Sequence, residues 1–496
     1  MVHGTTDKSG ALNSHVSDSL SPSITQGRLL PSDRTTAAEE LSMTEPRADH
    51  TGPHVHGHRH HEPGSPAFTS RRRFMSQAFA VAGAAAFGTM LAACGSDASS
   101  DLSLTTSSTA SSGEPNGGPG GGGPGGGGPG GGGPGVKDAF VGVTTDGTVI
   151  TDLYSIHQTG VSTGEVVAAA EAWLASLTDA QRTAITFPVE ASDYTQDQWR
   201  LWTNVDGNRD AGISLQDMTE DQRSKALSIL AAGMSARGLE NADKVRHLNL
   251  YGGQLANLTD QFNDELYWLT IMGTPSGTEP WGWQFEGHHL VINYFVLGDQ
   301  VVMTPTFMGT EPRVANFGID SEYEGTVSFQ DELAAGYDLV RSLSADQKSV
   351  AITTSATSDR DLTAGAYSDN AIMAYEGIKA SEFDAAQLAK LWKIVELFVG
   401  NVDEGHAEVK MAEVKQFTDE THFSWHGGTD DDVPMYYRVH SPVLLIELDS
   451  QDLGPIGKAV GWPAGMSQRH IHAIIRTPNG NDYGKDLLSL HLAFDH

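Results

Sequence analysis

Apolar residues recur along this chain at two spacings, and the spacings switch in the same order twice. Leu174-Ala175-Ser176-Leu177-Thr178-Asp179-Ala180-Gln181-Arg182 reads as the end of an amphipathic helix, a Thr cap and a second short helix. Val340-Arg341-Ser342-Leu343-Ser344-Ala345-Asp346-Gln347-Lys348 reads the same way. A later helix, Glu220 to Leu230, resembles Glu382 to Val395, with Gln222 beside Gln387 and Ile229 beside Ile394. Beyond each helical stretch come short, branched, turn-bounded runs, which predict strands. They are Leu290 to Val296 and Val301 to Thr306, then Val443 to Leu448 and Ile471 to Ile475. Phe262-Asn263-Asp264-Glu265 resembles Phe417-Thr418-Asp419-Glu420, and Val301 to Gly309 loosely echoes His472 to Gly480. The pattern predicts two related halves, 140–315 and 316–496, within one body spanning 137–496. In each half, helices precede antiparallel strands, which points to an α+β fold and away from a regular parallel α/β sheet.

Composition changes sharply ahead of this body. Ser96 to Ser112 is rich in Ser and Thr, and a Gly-Gly-Gly-Gly-Pro repeat follows up to Gly135. Such a stretch buries too little apolar surface to offset its ordering entropy, so residues 95–136 read as a disordered linker. Upstream, residues 1–94 read as a disordered N-region ending in an export signal. Ser70-Arg71-Arg72-Arg73-Phe74-Met75 matches the twin-arginine pattern, with Arg71 and Arg72 as its core. The mildly apolar stretch Ala78 to Ala93 is too short for a membrane span and ends in Leu91-Ala92-Ala93-Cys94-Gly95, which resembles a lipobox. Cys94 is the only cysteine, so structural disulfides are excluded and lipid attachment is its best use. The expected partners are the twin-arginine export machinery and, through the lipid, a membrane. The expected location is the outer face of the cell membrane. A cluster at His50, His54, His56, His58, His60 and His61 precedes the cleavage point and would be absent from the mature protein.

The chain carries 31 Lys+Arg against 63 Asp+Glu, a net charge of −32. Acidic and basic residues balance within 1–94, so the excess belongs to the exported part. No phosphate-neutralising patch is available, which argues against nucleic-acid binding. The charge favours solubility and attraction of cations.

Candidate chemistry gathers late in the sequence. Trp281-Gly282-Trp283-Gln284-Phe285-Glu286-Gly287-His288-His289 is the first group. If it enters a strand, Glu286 and His288 share one face and His289 takes the other. His422-Phe423-Ser424-Trp425-His426 precedes Tyr436-Tyr437-Arg438-Val439-His440-Ser441-Pro442. The pair His470 and His472 projects from one face of a strand, a common way to hold one metal ion. Asp482 is expected to cap a helix from Lys485 to Ala493 that carries His491 on the face of Leu487 and Leu488. Glu447, inside the run Val443 to Leu448, needs a cation, a metal or a hydrogen-bond partner. His288, His470, His472 and Glu447, with His289, His440 or His491, form a nitrogen-and-carboxylate set suited to zinc, copper, iron or manganese. By contrast, Asp206-Gly207-Asn208-Arg209-Asp210-Ala211-Gly212 only imitates a calcium loop. Ala211 stands where that loop needs glycine, and Asp217 where it needs a bidentate glutamate. It reads better as a polar loop leading to a helix capped by Thr219. No nucleophile elbow, phosphate loop or dinucleotide fingerprint occurs.

Several of these motifs resemble a bacterial family known as domain of unknown function 3500. They are Trp281 to His289, Tyr436 to Pro442, Leu445-Ile446-Glu447, and His470-Ile471-His472 followed by Arg476, Asn481-Asp482-Tyr483-Gly484, Asp486-Leu487-Leu488 and His491. The resemblance runs from about Val166 to the end. Arg469 stands where the family pattern implies asparagine, so no role is carried to that position. The resemblance implies kinship and leaves the activity open.

Two functions follow from the residues. The first is a lipid-anchored metalloprotein acting as a metal-dependent hydrolase or oxidase, with Glu286 as base and its site at the junction of the halves. The second is a non-catalytic binding lipoprotein, with Trp281, Trp283, Trp425, Tyr436, Tyr437 and Arg438 lining a cleft.

Overall fold

The computed structural model describes residues 136–205 and 211–494. Arg71, Arg72, Cys94, the histidine cluster at 50–61, the linker up to Gly135 and the Asp206–Asp210 start of the calcium-like loop lie outside those residues. Asp217 bonds to Ser214 next door, and Thr219 caps the following helix.

The first half runs α1 (Gly164–Ser176), α2 (Asp179–Ile185), β1 (Thr186–Phe187), β2 (Ile213–Ser214), α3 (Glu220–Gly233) and α4 (Ala236–Ala256). Then come β3 (Tyr267–Met272), β4 (Trp281–Gly287), β5 (Leu290–Leu297), β6 (Gln300–Val302) and β7 (Thr306–Thr310). The second half repeats the order with α5 (Gln330–Ser342), α6 (Ala345–Ala351), β8 (Ile352–Thr354), β9 (Ile378–Lys379), α7 (Ala385–Val399) and α8 (Glu404–Gln416). It continues with β10 (His422–Gly427), β11 (Met435–Ser441), β12 (Leu444–Gln451), α9 (Pro455–Val460), β13 (Ser467–Arg476) and α10 (Lys485–Phe494). The fold is therefore mixed α and β in two related halves.

The same local chemistry starts each half. Thr178 with Gln181, and Ser344 with Gln347, form capping boxes that open α2 and α6. Thr219 with Gln222, and Asp384 with Gln387, do so for α3 and α7. Gln222 then donates to Gln181 Oε1 (3.1 Å) and Ser176 O (3.0 Å). Gln387 donates to Gln347 Oε1 (2.9 Å) and Ser342 O (3.0 Å). One glutamine thus ties three helices together in each half. Because Asp384 takes the cap, α7 starts at Ala385, and Glu382 falls in the turn ahead of it.

Among the described residues, all strands join one sheet in the order β1-β3-β4-β5-β7-β13-β12-β11-β10-β8, with β2 on β3, β6 on β5 and β9 on β10. The halves meet at the antiparallel β7–β13 pair. Among the described strand pairs, the edge pairs β1–β3 and β8–β10 are parallel and the others antiparallel. Val301 to Thr306 is not one strand, since Pro305 lacks the N–H a ladder needs and separates β6 from β7. Ile292 and Ile446 hold equivalent places, and their partners are Thr306 and Ile475. The repeat there lies two residues from the register the sequence echo suggests.

Helices cover one face of the sheet, where Tyr267, Trp283, Trp425, Tyr437 and Ile446 pack against Trp173, Ile229 and Ile394. The other face lies under irregular segments and α10, where Val291, Phe307 and Ile474 meet Trp199, Trp202, Tyr483 and Leu488. With both faces covered, β5 is buried along its whole length. Asp482 does not cap α10. Its carboxylate takes Arg476 Nη1 (2.9 Å) and Thr477 N (2.7 Å). Among the described residues, no helix is long and apolar enough to cross a membrane.

Candidate metal centre

The tight turn between β4 and β5 consists of His288 and His289, because Gly287 already pairs with Leu290. His289 sits in left-handed backbone at φ 65°, a conformation histidine tolerates better than most side chains. Three bonds hold the turn: His289 N to Asn204 O (3.0 Å), Gly309 N to His289 O (2.7 Å) and Tyr267 Oη to His288 O (3.0 Å). The turn corrects the strand alternation expected for this segment, and His289, rather than His288, reaches the other histidines.

Across the β7–β13 seam, His470 and His472 project from β13. His289 Nε2 lies 3.1 Å from His470 Nε2 and 3.2 Å from His472 Nε2. These three side chains form a group able to hold a metal ion. His470 Nδ1 lies 2.7 Å from the Asp452 carbonyl, which can only accept, so Nδ1 carries the proton and Nε2 a lone pair. A single proton on His289 Nε2 can point at only one of its two neighbours. The other contact is then left without a well-directed hydrogen bond. A central cation resolves this conflict, since all three rings then present lone pairs. A tetrahedral ion with bonds of about 2.0–2.1 Å separates its ligand nitrogens by about 3.3 Å, close to the two spacings from His289, and the third pair lies within 4.8 Å.

Electrostatics favour neutral rings. Burial, then the neighbouring His288, His470 and His472, holds His289 well below the usual imidazole range. Burial, then His470 and His288, does the same for His472. Burial lowers His470 too, against the pull of Glu311. His289 and His470 are buried and His472 is partly exposed.

Supporting residues complete the site. His288 stacks on His289 at 3.8 Å and bonds through Nδ1 to Asn249 Oδ1 (2.7 Å). Asn249 is oriented in turn by its bond to Asn263 O (2.9 Å). Gly309 faces His472 across the seam, and a Cβ there would lie 2.8 Å from His472 Cδ2 and 3.2 Å from His289 Cδ2. Glu311 is buried next to His470, its oxygens accepting the amides of Gly454 (2.8 Å), Ile456 (3.2 Å) and Gly457 (3.1 Å). Sequence reasoning missed Asn249, Gly309, Glu311 and Asp452. None carries a motif, and each is recruited by tertiary contact.

The remaining candidates lie elsewhere. Glu286 accepts the Thr203 amide at 3.1 Å and is not one of the converging groups. Glu447 finds its partners without a metal: Tyr436 Oη (2.9 Å), Ala364 N (2.8 Å) and Thr363 N (3.2 Å). His440 packs against Tyr375 at 4.7 Å on the second-half face. His491 reaches Glu279 at 3.6 Å, on the loop before β4. The cleft expected from the aromatic residues is corrected: Trp281, Trp283, Trp425, Tyr436 and Tyr437 are all fully buried. Trp283 stacks on Tyr294 at 4.9 Å within the core. Arg438 pairs with Glu376 at 2.7 Å.

The family model described as "Protein of unknown function (DUF3500)" matches residues 159–485. No curated protein and no solved structure matches the chain. The matched span includes every residue of the three-histidine centre, and the chain belongs to this family.

Proposed function

We propose that this member of the DUF3500 family is a metalloprotein in which His289, His470 and His472 hold one transition-metal ion. The observation that carries the reading is the convergence of three Nε2 atoms, at 3.1 and 3.2 Å, which one proton on His289 cannot serve with two well-directed hydrogen bonds. Three neutral imidazoles with no carboxylate among them suit zinc, copper or iron better than manganese. A three-ligand set leaves a fourth position for water or substrate, as catalytic rather than structural zinc sites do. The ion would supply Lewis acidity or redox chemistry, and the class of reaction we propose is metal-dependent hydrolysis or oxidation. The protein's part is to hold the rings. The Asp452 carbonyl fixes the His470 tautomer, His288 backs His289, and Gly309 leaves room for two imidazoles.

Metal content of natively exported protein, purified without a metal-affinity tag, tests this directly. One equivalent of metal in the wild type and none in a folded His470→Ala/His472→Ala variant is expected. A folded wild type without metal, which also binds none when titrated with zinc, copper or iron, overturns it.

We also propose export through the twin-arginine route and lipid anchoring at Cys94, which rest on Arg71-Arg72 and the lipobox-like Leu91 to Cys94. Labelled fatty acid should be incorporated in the wild type and not in Cys94→Ala. Equal labelling would sink the anchor.

A further inference from the structure

The two halves of the sheet carry the same strands but different chemistry on the face away from the helices. In the first half the central positions are Thr270, Gln284 and Asn293, paired across β3, β4 and β5. Their amides are satisfied: Gln284 donates to Asn293 Oδ1 (2.7 Å) and Trp199 O (3.1 Å), and Asn293 to Pro305 O (2.8 Å). The equivalent positions of the second half are Ser424, Arg438 and Glu447. Beside them on the same face lies His440, opposite His422, and Tyr375 stacks on His422 at 4.6 Å.

This second face is not satisfied from within. Ser424 Oγ, Arg438 Nε, His440 Nδ1 and Tyr375 Oη are buried without a hydrogen-bond partner among the described residues, as is Asp449 Oδ1 one rung away on the same face, opposite Tyr436. Ser424, Arg438 and His440 are each at least nine-tenths buried. Ser424 and Arg438 are direct cross-strand partners, so their side chains start about 5 Å apart. Buried polar atoms nearly always find partners, in protein or in ordered water, and a group of orphaned donors on one face suits a bound acceptor. The first half shows that the fold itself does not require them.

The orphans define the chemistry. A guanidinium N–H and two hydroxyls are donors, and a neutral imidazole donates from whichever nitrogen holds its proton. Glu447 cannot use them, because its oxygens are already engaged by Tyr436 and the amides of Thr363 and Ala364. Arg438 reaches the half-exposed Glu376, so the cluster lies just under the surface. We infer that Ser424, Arg438, His440 and Tyr375 form a second binding site, separate from the three histidines, for a small oxyanion of the carboxylate or phosphate type.

Calorimetric titration of the mature chain with acetate, succinate and inorganic phosphate tests this, and the preferred anion identifies the source. The Ser424→Ala/Tyr375→Phe variant removes only orphaned hydroxyls, so its melting temperature should hold or rise. Its affinity for the anion should fall about ten- to hundred-fold, the worth of hydrogen bonds to a charged ligand. Binding should survive in the His470→Ala/His472→Ala variant, which separates this site from the metal centre. The inference is overturned if none of the three anions binds below tens of millimolar. It is equally overturned if the hydroxyl variant binds as well as wild type, or if binding vanishes with the histidines.

Discussion

Gly309→Ala tests how closely the proposed metal centre depends on one missing methyl group. The new Cβ would lie 2.8 Å from His472 Cδ2, 2.9 Å from Ile471 O and 3.2 Å from His289 Cδ2. Carbon atoms in good contact sit about 3.5–4.0 Å apart, so the His472 ring must retreat by about 0.7 Å or β7 must move. Metal sites tolerate ligand-distance errors of only about 0.2 Å, and loss of supporting geometry typically weakens affinity about 10–100-fold. At a metal concentration about 100 times the wild-type Kd, binding stabilises the fold by about 2.7 kcal/mol. If Kd rises 100-fold, that contribution drops to about 0.4 kcal/mol. Overpacking also costs the metal-free protein about 1–3 kcal/mol, so the two effects must be read separately. Scanning calorimetry with and without metal gives both, and competition with a chelating dye gives Kd. A Gly309→Ala variant with wild-type Kd and an undiminished metal-induced shift would refute the assignment of the ligands.

The two adjacent histidines should behave differently. His289→Ala should abolish metal binding. His288→Phe should keep one equivalent of metal and lose about 1–3 kcal/mol of stability, because Asn249 Oδ1 loses its buried partner; metal analysis and urea unfolding distinguish them, and loss of metal in both variants contradicts the geometry. Arg476→Met should cost about 3–5 kcal/mol, since the guanidinium lies between the buried carboxylates of Asp369 (3.0 Å) and Asp482 (2.9 Å); urea unfolding showing less than about 1 kcal/mol speaks against the ion cluster. His440 gives a pH signature: burial, then Arg438 and His422, pushes its imidazole down to about 3, against about 6.5 in the unfolded chain. A lowered folded value means its contribution is intact above about pH 6.5 and is lost as pH falls towards 3, at up to about 1.4 kcal/mol per pH unit. His440→Phe should flatten the stability profile in that window, and an unchanged slope would count against a neutral buried ring.

Local signals were legible wherever the physics is local. The capping boxes at Thr178, Ser344 and Thr219 are read off four adjacent residues, because a cap satisfies amides one turn away. Gln222 and Gln387 marked the repeat since each performs the same task in its half. The strands after them were legible from branched, turn-bounded runs, although Pro305 split one of them.

The three-histidine group was only half visible. His470 and His472 stand out because strand alternation puts them on one face whatever surrounds them. The third ring could not be chosen from sequence. Strand periodicity favours His288, and only the two-residue turn with His289 at φ 65° reverses that choice. Glu447 looked like a ligand because a buried carboxylate needs partners, and only tertiary structure shows Tyr436, Thr363 and Ala364 supplying them. The aromatic residues looked like a cleft because apolar side chains serve cores and pockets alike, and the helices packed above the sheet decide between the two. What the chain determines by itself is the order of its elements and their caps, which depend on neighbours within a turn or two. What the tertiary structure decides is the meeting of His289 with His470, from residues 181 apart in the chain, because convergence depends on how the two halves pair along β7 and β13.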